Sequence, residues 1–199
     1  MKTAGKLHHL NAWERKTGPS MSLVTPTGID GLDDLLPCGG WPKGGLVEFI
    51  VPDVFTDALS LLMPALVRLG RQGRWLAMVS PPHQTRKRLF TDTEMNPARV
   101  LQLNPHPGRS ALWTVESMLG SGTCGAVLAW PHCNTELMDR RLQRAAARGK
   151  ALGILVRCEG RSMQRSGADV RLKLEMDAEG SMVYLVSNQG ERLSGAALA

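Results

Sequence analysis

Five short apolar segments, separated by stretches with helical patterns, constrain the fold of this 199-residue chain most strongly. Turn residues bound each segment, and most of the intervening stretches are long enough to hold a helix. This alternation is typical of a parallel sheet, because parallel strands require long crossover connections. We therefore predict an α/β fold with one domain, in which a mainly parallel, twisted sheet is flanked by helices. The predicted strands are residues 46–51, 75–80, 99–103, 125–130 and 152–157.

Helical patterns fill most of the stretches between these strands, at residues 57–69, 84–93, 109–119 and 135–148. The first helix is nearly all apolar, which predicts that it is buried. Pro64 lies inside it and is predicted to kink it, because proline removes an intrahelical hydrogen bond. The third helix carries one apolar stripe, formed by Ala111, Leu112, Val115, Met118 and Leu119.

The two ends of the chain differ from this central pattern. Residues 1–25 are polar and aperiodic, which predicts a mobile N-terminal arm. Residues 26–189 are predicted to form the domain, closed by a C-terminal β-hairpin of strands 170–176 and 182–187. Residues 190–199 are small and are predicted to be a flexible C-terminal tail.

Composition indicates the class of protein and the range of its partners. The chain is 43% hydrophobic, enough for a real core, and no apolar run is long enough to span a membrane. The four cysteines are scattered without metal-ligand spacing, so we predict reduced thiols, no metal site and a cytoplasmic protein. The net charge of +6 permits contact with nucleic acid or with an acidic protein surface.

The segment before the first long strand carries two turn motifs. Their residues are Thr27, Gly28, Leu32 and Asp33, followed by Gly39, Gly40, Trp41, Pro42 and Gly44. The order of these motifs resembles the opening of the RecA-like ATPase core, where similar turns lead into a strand, a phosphate-binding loop and a helix. The resemblance implies a RecA-like domain.

The phosphate-binding loop itself does not match that resemblance. Such a loop needs glycines, a lysine and a hydroxyl residue to hold phosphates and Mg²⁺. Here Val51 and Thr56 replace the glycines, Asp57 the lysine and Ala58 the hydroxyl residue. The strand at 125–130 also ends without the expected carboxylate. We therefore predict a binding protein that is not an enzyme and needs no cofactor.

Basic residues form the candidate binding groups. Arg140, Arg144 and Arg148 recur every four residues, which places them on one helix face. Two further groups are the cluster Arg86, Lys87 and Arg88, and Arg74 before the second strand. Such a row is commonly only a solvated helix face, and the functional alternative is a surface for an acidic partner or for DNA phosphates. We predict that these residues bind a partner.

Four sequence blocks carry a further resemblance: residues 61–82, 114–118, 124–130 and 142–157. They resemble two related bacterial families of the DNA-damage response. The families are ImuA, an accessory protein of error-prone translesion synthesis, and SulA, the SOS inhibitor of cell division. We favour ImuA, because the two turn motifs and the hairpin resemble it more closely. That resemblance implies RecA and an ImuB-like protein as partners, and the basic groups leave a weak DNA contact as a further option.

The alternative family is supported by other residues. Residues 114–118, TVESM, closely resemble the enterobacterial SulA sequence. Arg74, Val79 and residues 86–88 fall where SulA-like proteins present part of their FtsZ-binding surface. The SulA resemblance implies a homodimer that covers the polymerisation face of FtsZ and stops septation.

Overall fold

The structure is a computed structural model, and it describes residues 24–53, 56, 58–83, 85, 95–131, 135–159, 165–177 and 180–198. Within these residues, two short strands pair with each other: β1 (Val24–Thr25) and β2 (Trp41–Pro42). Eight further strands form one sheet in the described part of the chain. They are β3 (Leu46–Val51), β4 (Trp75–Val79), β5 (Val100–Leu103), β6 (Cys124–Ala129), β7 (Leu152–Cys158), β8 (Val170–Asp177), β9 (Gly180–Val186) and β10 (Arg192–Leu198).

The sheet has the strand order β10-β9-β8-β3-β7-β6-β4-β5. Strands β3 to β8 all run parallel, and only β9 and β10 are antiparallel to their neighbours. The apolar strands in the middle of the sheet are buried on both faces, as expected for a parallel sheet. The predicted α/β fold with a mainly parallel sheet flanked by helices is confirmed at this level.

Four α-helices that lie wholly within the described residues cover the two faces of the sheet: α1 (Leu32–Leu35), α2 (Met63–Arg71), α3 (Arg109–Gly120) and α4 (Glu136–Gly149). Helices α1 and α2 pack on one face, where Leu32 and Leu66 join a core with Phe49. Helices α3 and α4 pack on the other face, where Leu119 and Leu142 join a second core. Both α3 and α4 lie in crossovers between parallel strands, so they run parallel to each other.

The position of Pro64 differs from its prediction. Helix α2 begins at Met63, so Pro64 lies in its first turn and does not kink it. The first amide groups of a helix have no intrahelical acceptor, so proline loses no hydrogen bond there. The predicted helix from residue 57 was therefore too long at its N-terminal end, and residues 59–62 form a turn that precedes it.

The predicted C-terminal hairpin is present as β8 and β9, but the predicted flexible tail contains a strand. Strand β10 pairs antiparallel with β9 and forms one edge of the sheet. Gly195 in this strand has a packing reason, because a Cβ there would lie 2.6 Å from Cδ1 of Tyr184. The guanidinium of Arg192 lies 4.2 Å from the same aromatic ring. A glycine at position 195 therefore leaves space for the Tyr184 ring.

Two other predictions concern the N-terminal arm and the absence of a membrane-spanning segment. The predicted N-terminal arm lies outside the described residues, except that Val24 and Thr25 form β1. Among the described residues, no helix is long and apolar enough to span a membrane.

A buried ionic network fixes α4 against the sheet. Glu48, at the centre of β3, is fully buried and accepts from Arg157 on β7 and from Arg171 on β8, both at 2.6 Å. The other terminal nitrogen of Arg157 donates to Asp139 on α4, also at 2.6 Å. Asp139 accepts a further bond from the hydroxyl of Ser166 at 3.0 Å. The network therefore joins three strands to one turn of α4.

Candidate partner-binding surface

Helices α3 and α4 form one outer surface of the described domain, and this surface carries both charged and apolar exposed side chains. They pack side by side, and an ion pair of 2.6 Å between Arg141 and Glu116 crosses between them. Their inner faces carry apolar side chains such as Val115 and Leu142, which are buried against the sheet. Their outer faces are available to a partner.

The predicted arginine row lies on the exposed side of α4. Arg140 forms an (i, i+4) ion pair with Glu136 at 2.6 Å and remains 59% exposed. Arg144 is exposed one turn further along. The guanidinium of Arg148 lies over Gly120 of α3, which has no side chain to exclude it. The row therefore forms a continuous basic edge, whose last member also covers α3.

Arg74 precedes β4, outside this row, and has an internal role. Its guanidinium donates to the carbonyl oxygens of Lys150 at 2.7 Å and Gly149 at 2.9 Å. A longer bond of 3.3 Å reaches the carbonyl oxygen of Gly122. The last carbonyls of a helix lack intrahelical donors and carry partial negative charge, so a cation there stabilises the helix. Arg74 thus caps the C-terminal end of α4.

Replacing Arg74 by alanine is expected to lower the free energy of unfolding by about 1.5–3 kcal/mol, because hydrogen bonds to a charged group are lost. Urea unfolding followed by circular dichroism would measure the loss. Arg144→Ala is the matched control, since Arg144 is exposed, and it should change stability by less than about 0.5 kcal/mol. Equal stability of the two variants would contradict the capping role.

The remaining predicted site residues are only partly described. Arg86, Lys87 and Arg88 lie outside the described residues, as does Asp57 of the loop after β3. Val51 ends β3 and is buried, and Ala58 is also buried. In that loop, the amide and the hydroxyl of Thr56 both donate to Oδ1 of Asp53, at 2.9 and 3.3 Å.

Two exposed apolar side chains were missed in the sequence analysis. Trp113 on α3 is 68% exposed and Leu137 on α4 is 69% exposed. Neither residue belongs to the apolar stripe of its helix, which packs against the sheet. The signal in the sequence was present: each is a large apolar residue on the otherwise polar face of an amphipathic helix.

A group of charges on β8 is separate from this surface. The ammonium of Lys173 contacts Glu159 and Glu175, and these hydrogen bonds, first that to Glu159, raise the pKa of Lys173. The same contact with Lys173 lowers the pKa of Glu175. No group of three metal-ligating side chains occurs among the described residues.

Comparison with known proteins identifies the family. The family model for the cell division inhibitor SulA matches residues 48–153, just over half of the chain. This chain belongs to the SulA family. SulA of Edwardsiella piscicida is 33% identical over 116 residues, which cover 58% of this chain and 69% of that protein. SulA of Yersinia pestis (strain Pestoides F) is 27% identical over 169 residues, which cover 85% of this chain and 93% of that protein.

A solved structure in the same family is also similar. The crystal structure of SulA from Pseudomonas aeruginosa is 26% identical in sequence, with a TM-score of 0.45. The match covers 56% of this chain and 95% of that chain.

The membership in the SulA family corrects our preference for ImuA. The two turn motifs that favoured ImuA lie before residue 48, outside the region that the SulA family model matches. The blocks at 61–82, 114–118 and 124–130 lie inside that region. The translesion function, with RecA and an ImuB-like protein as partners, was therefore a wrong prediction, and the alternative was the better one.

Proposed function

We propose that this protein is a non-catalytic inhibitor of cell division in the DNA-damage response, which binds FtsZ and blocks its polymerisation. The observation that carries this proposal is the match of the SulA family model to residues 48–153. The relatives described above are themselves named as cell division inhibitors. An inhibitor of this kind acts by covering a surface, so it needs a stable scaffold with exposed binding residues.

The outer surface of α3 and α4 is the proposed contact. It carries the basic edge of Arg140, Arg144 and Arg148 and the exposed side chains of Trp113 and Leu137. Aromatic residues and arginines are the residue types that most often dominate protein interfaces. The cluster at residues 86–88 remains a second proposed contact.

The proposed action needs no nucleotide on this protein. We include in the proposal a RecA-like core whose phosphate-binding loop has been lost. In support, the amide of Thr56 donates to the carboxylate of Asp53 within its own loop. A carboxylate in that position repels a polyanion, whereas a functional loop directs its amides to phosphate. Inhibition should then depend on the amount of protein bound and not on turnover.

Assembly of FtsZ from the same organism tests the proposal. Added protein is expected to suppress assembly in proportion to its concentration, near one equivalent and without ATP, as measured by light scattering and sedimentation. Reversing the basic edge with Arg140→Glu, Arg144→Glu and Arg148→Glu together should weaken inhibition, because an acidic partner loses its complement. Urea unfolding should change little, since exposed ion pairs contribute about 0–1 kcal/mol.

The control is a charge reversal elsewhere on the surface. Arg68 is exposed on α2, on the opposite face of the sheet, and Arg68→Glu should inhibit like the unaltered protein. Unimpeded FtsZ assembly at several-fold excess of the unaltered protein would rule out the proposed function. Full inhibition by the triple variant would leave the function standing and remove the basic edge from the contact.

A further inference from the structure

A cavity of about 200 Å³ opens at the carboxyl ends of β4 and β6, between the first turns of α3 and α4. Its walls are mainly apolar. The strand ends contribute Val79, Ala129 and Trp130, and the helices contribute Leu112, Val115 and Met138. The carboxyl ends of parallel strands are where ligands bind in open α/β sheets.

The volume of the cavity indicates the size of its occupant. Sites for metabolites and drug-sized ligands usually enclose about 300–1,000 Å³, which is more than this cavity offers. An apolar cavity of about 150 Å³ accommodates a benzene molecule. The cavity therefore fits one aromatic or large aliphatic side chain better than a whole metabolite.

The two exposed apolar residues are sequence neighbours of residues in the cavity wall: Trp113 follows Leu112, and Leu137 precedes Met138. Glu116 and Arg141 are joined across the parallel helices α3 and α4 at 2.6 Å. Trp113 lies about one turn before Glu116, and Leu137 lies one turn before Arg141, so both project on the same side of the helix pair toward its N-terminal end. The cavity opens between those N-terminal turns, with the neighbouring residues Leu112 and Met138 in its walls. An inserted side chain would thus be surrounded by further apolar surface.

The positive charge of Arg109 beside the cavity indicates which kind of residue should neighbour the inserted apolar side chain. Arg109 lines the cavity, and no ion-pair partner for it occurs among the described residues. Helix α3 begins there after Gly108, with no side-chain cap and no acidic residue in its first turn. Its first amides and its dipole favour a negative charge. A carboxylate beside the inserted apolar group would therefore complement both Arg109 and the start of α3, which favours an acidic partner segment.

We propose that this cavity is an anchor site for one apolar side chain, preferably aromatic, that projects from an acidic segment of the partner protein. Trp113 and Leu137 enclose the anchor, and Arg109 pairs with a neighbouring carboxylate. The identity of the partner as FtsZ rests on the proposed function, whereas the binding of an apolar group in the cavity does not.

Affinity for FtsZ in single variants tests the anchor site. Trp113→Ala and Leu137→Ala should each weaken binding about tenfold, and Arg109→Glu should do the same, as expected for interface residues at a central anchor. Leu193 is the matched control, because it is the third exposed large apolar residue of the described chain and lies on β10. Leu193→Ala should alter affinity by less than roughly twofold. Circular dichroism and urea unfolding verify that each variant is folded.

A second measurement tests the cavity without FtsZ. Benzene should shift the methyl NMR signals of Leu112 and Leu142, both of which line the cavity, in the unaltered protein. Ala111→Leu, a substitution that adds volume at the cavity wall, should remove those shifts. If the unaltered protein fails to bind FtsZ, the proposed function fails and the benzene result decides the anchor site.

Three outcomes would overturn the anchor site. FtsZ affinity could be unchanged in both Trp113→Ala and Leu137→Ala. Benzene could leave the Leu112 and Leu142 signals unchanged. The two alanine variants could instead dissociate a dimer in sedimentation equilibrium, which would make a second copy the occupant.

Discussion

Replacing Glu48 by glutamine is expected to lower the free energy of unfolding by about 3–5 kcal/mol, the usual cost of breaking a buried ion pair from one side. The Glu48 side chain is fully buried and neutralises two guanidinium groups, those of Arg157 and Arg171. Arg171 is 1% exposed and cannot turn to solvent after the carboxylate is lost. Asp139 still faces Arg157, so the loss falls mainly on the buried contact between Arg171 and residue 48.

Urea unfolding of Glu48→Gln measures this loss directly. Glu136→Gln is the matched control, because Glu136 forms an ion pair of the same length with an exposed arginine on a helix. Its effect should stay within about 0.5 kcal/mol. Adding Arg171→Met to Glu48→Gln should restore part of the lost stability, since the buried guanidinium that lost its carboxylate contact is then removed. A loss below about 1 kcal/mol for Glu48→Gln would contradict the structural role of the network.

The network also has a functional consequence through the position of α4. Asp139 is the only member of the ionic network on α4 among the described contacts, and it is held by Arg157 and Ser166. One turn of α4 around Asp139 carries Leu137, Met138 and Arg140. Fixing Asp139 therefore fixes the mouth of the cavity and the start of the basic edge. The buried ionic network thereby orients the surface that we propose to bind FtsZ.

The sheet could be predicted from the sequence because its strands are short apolar runs bounded by turn residues. Strand β3 was located at the same residues, 46–51, and β7 differed by one residue at its end. The parallel order followed from the crossover lengths. The sequence did not show which buried charged residues form ion pairs when they are far apart along the chain. Glu48 interrupts an apolar strand visibly, but its partner Arg171 lies 123 residues away.

The proposed binding surface was harder to predict for a related reason. The row of arginines is visible from its spacing, yet that spacing does not show which residues are engaged internally. Arg74 was predicted to bind a partner, and nothing in the sequence indicated that it also caps α4 through carbonyls that lie 75 and 76 residues away. Trp113 and Leu137 are in separate helices, and only the fold brings the helical turns that carry them to the two sides of one cavity.

Replacing Gly149 by alanine is expected to destabilise the protein by about 3 kcal/mol or more, at the upper end of the cost of overpacking. Gly149 is the last residue of α4 and is buried where α4 crosses close to the end of α3. A Cβ at this position would lie well under 3.0 Å from the carbonyl oxygen of Leu119, and 3.1 Å from the carbonyl carbon of Gly120. Both are backbone atoms, so the steric clash can be relieved only if the two helices move apart.

Gly120→Ala is the matched control, because Gly120 ends α3 as Gly149 ends α4. Its added Cβ would meet the guanidinium of Arg148, the far end of a flexible side chain that can move away. Stability should then change by less than about 1 kcal/mol, since alanine also favours the helix. Separation of the helices in Gly149→Ala would shift the carbonyl of residue 149 away from Arg74 and would lengthen the ion pair between Arg141 and Glu116. Thermal unfolding of both variants measures the difference, and equal midpoints would show that α3 and α4 are not in close backbone contact.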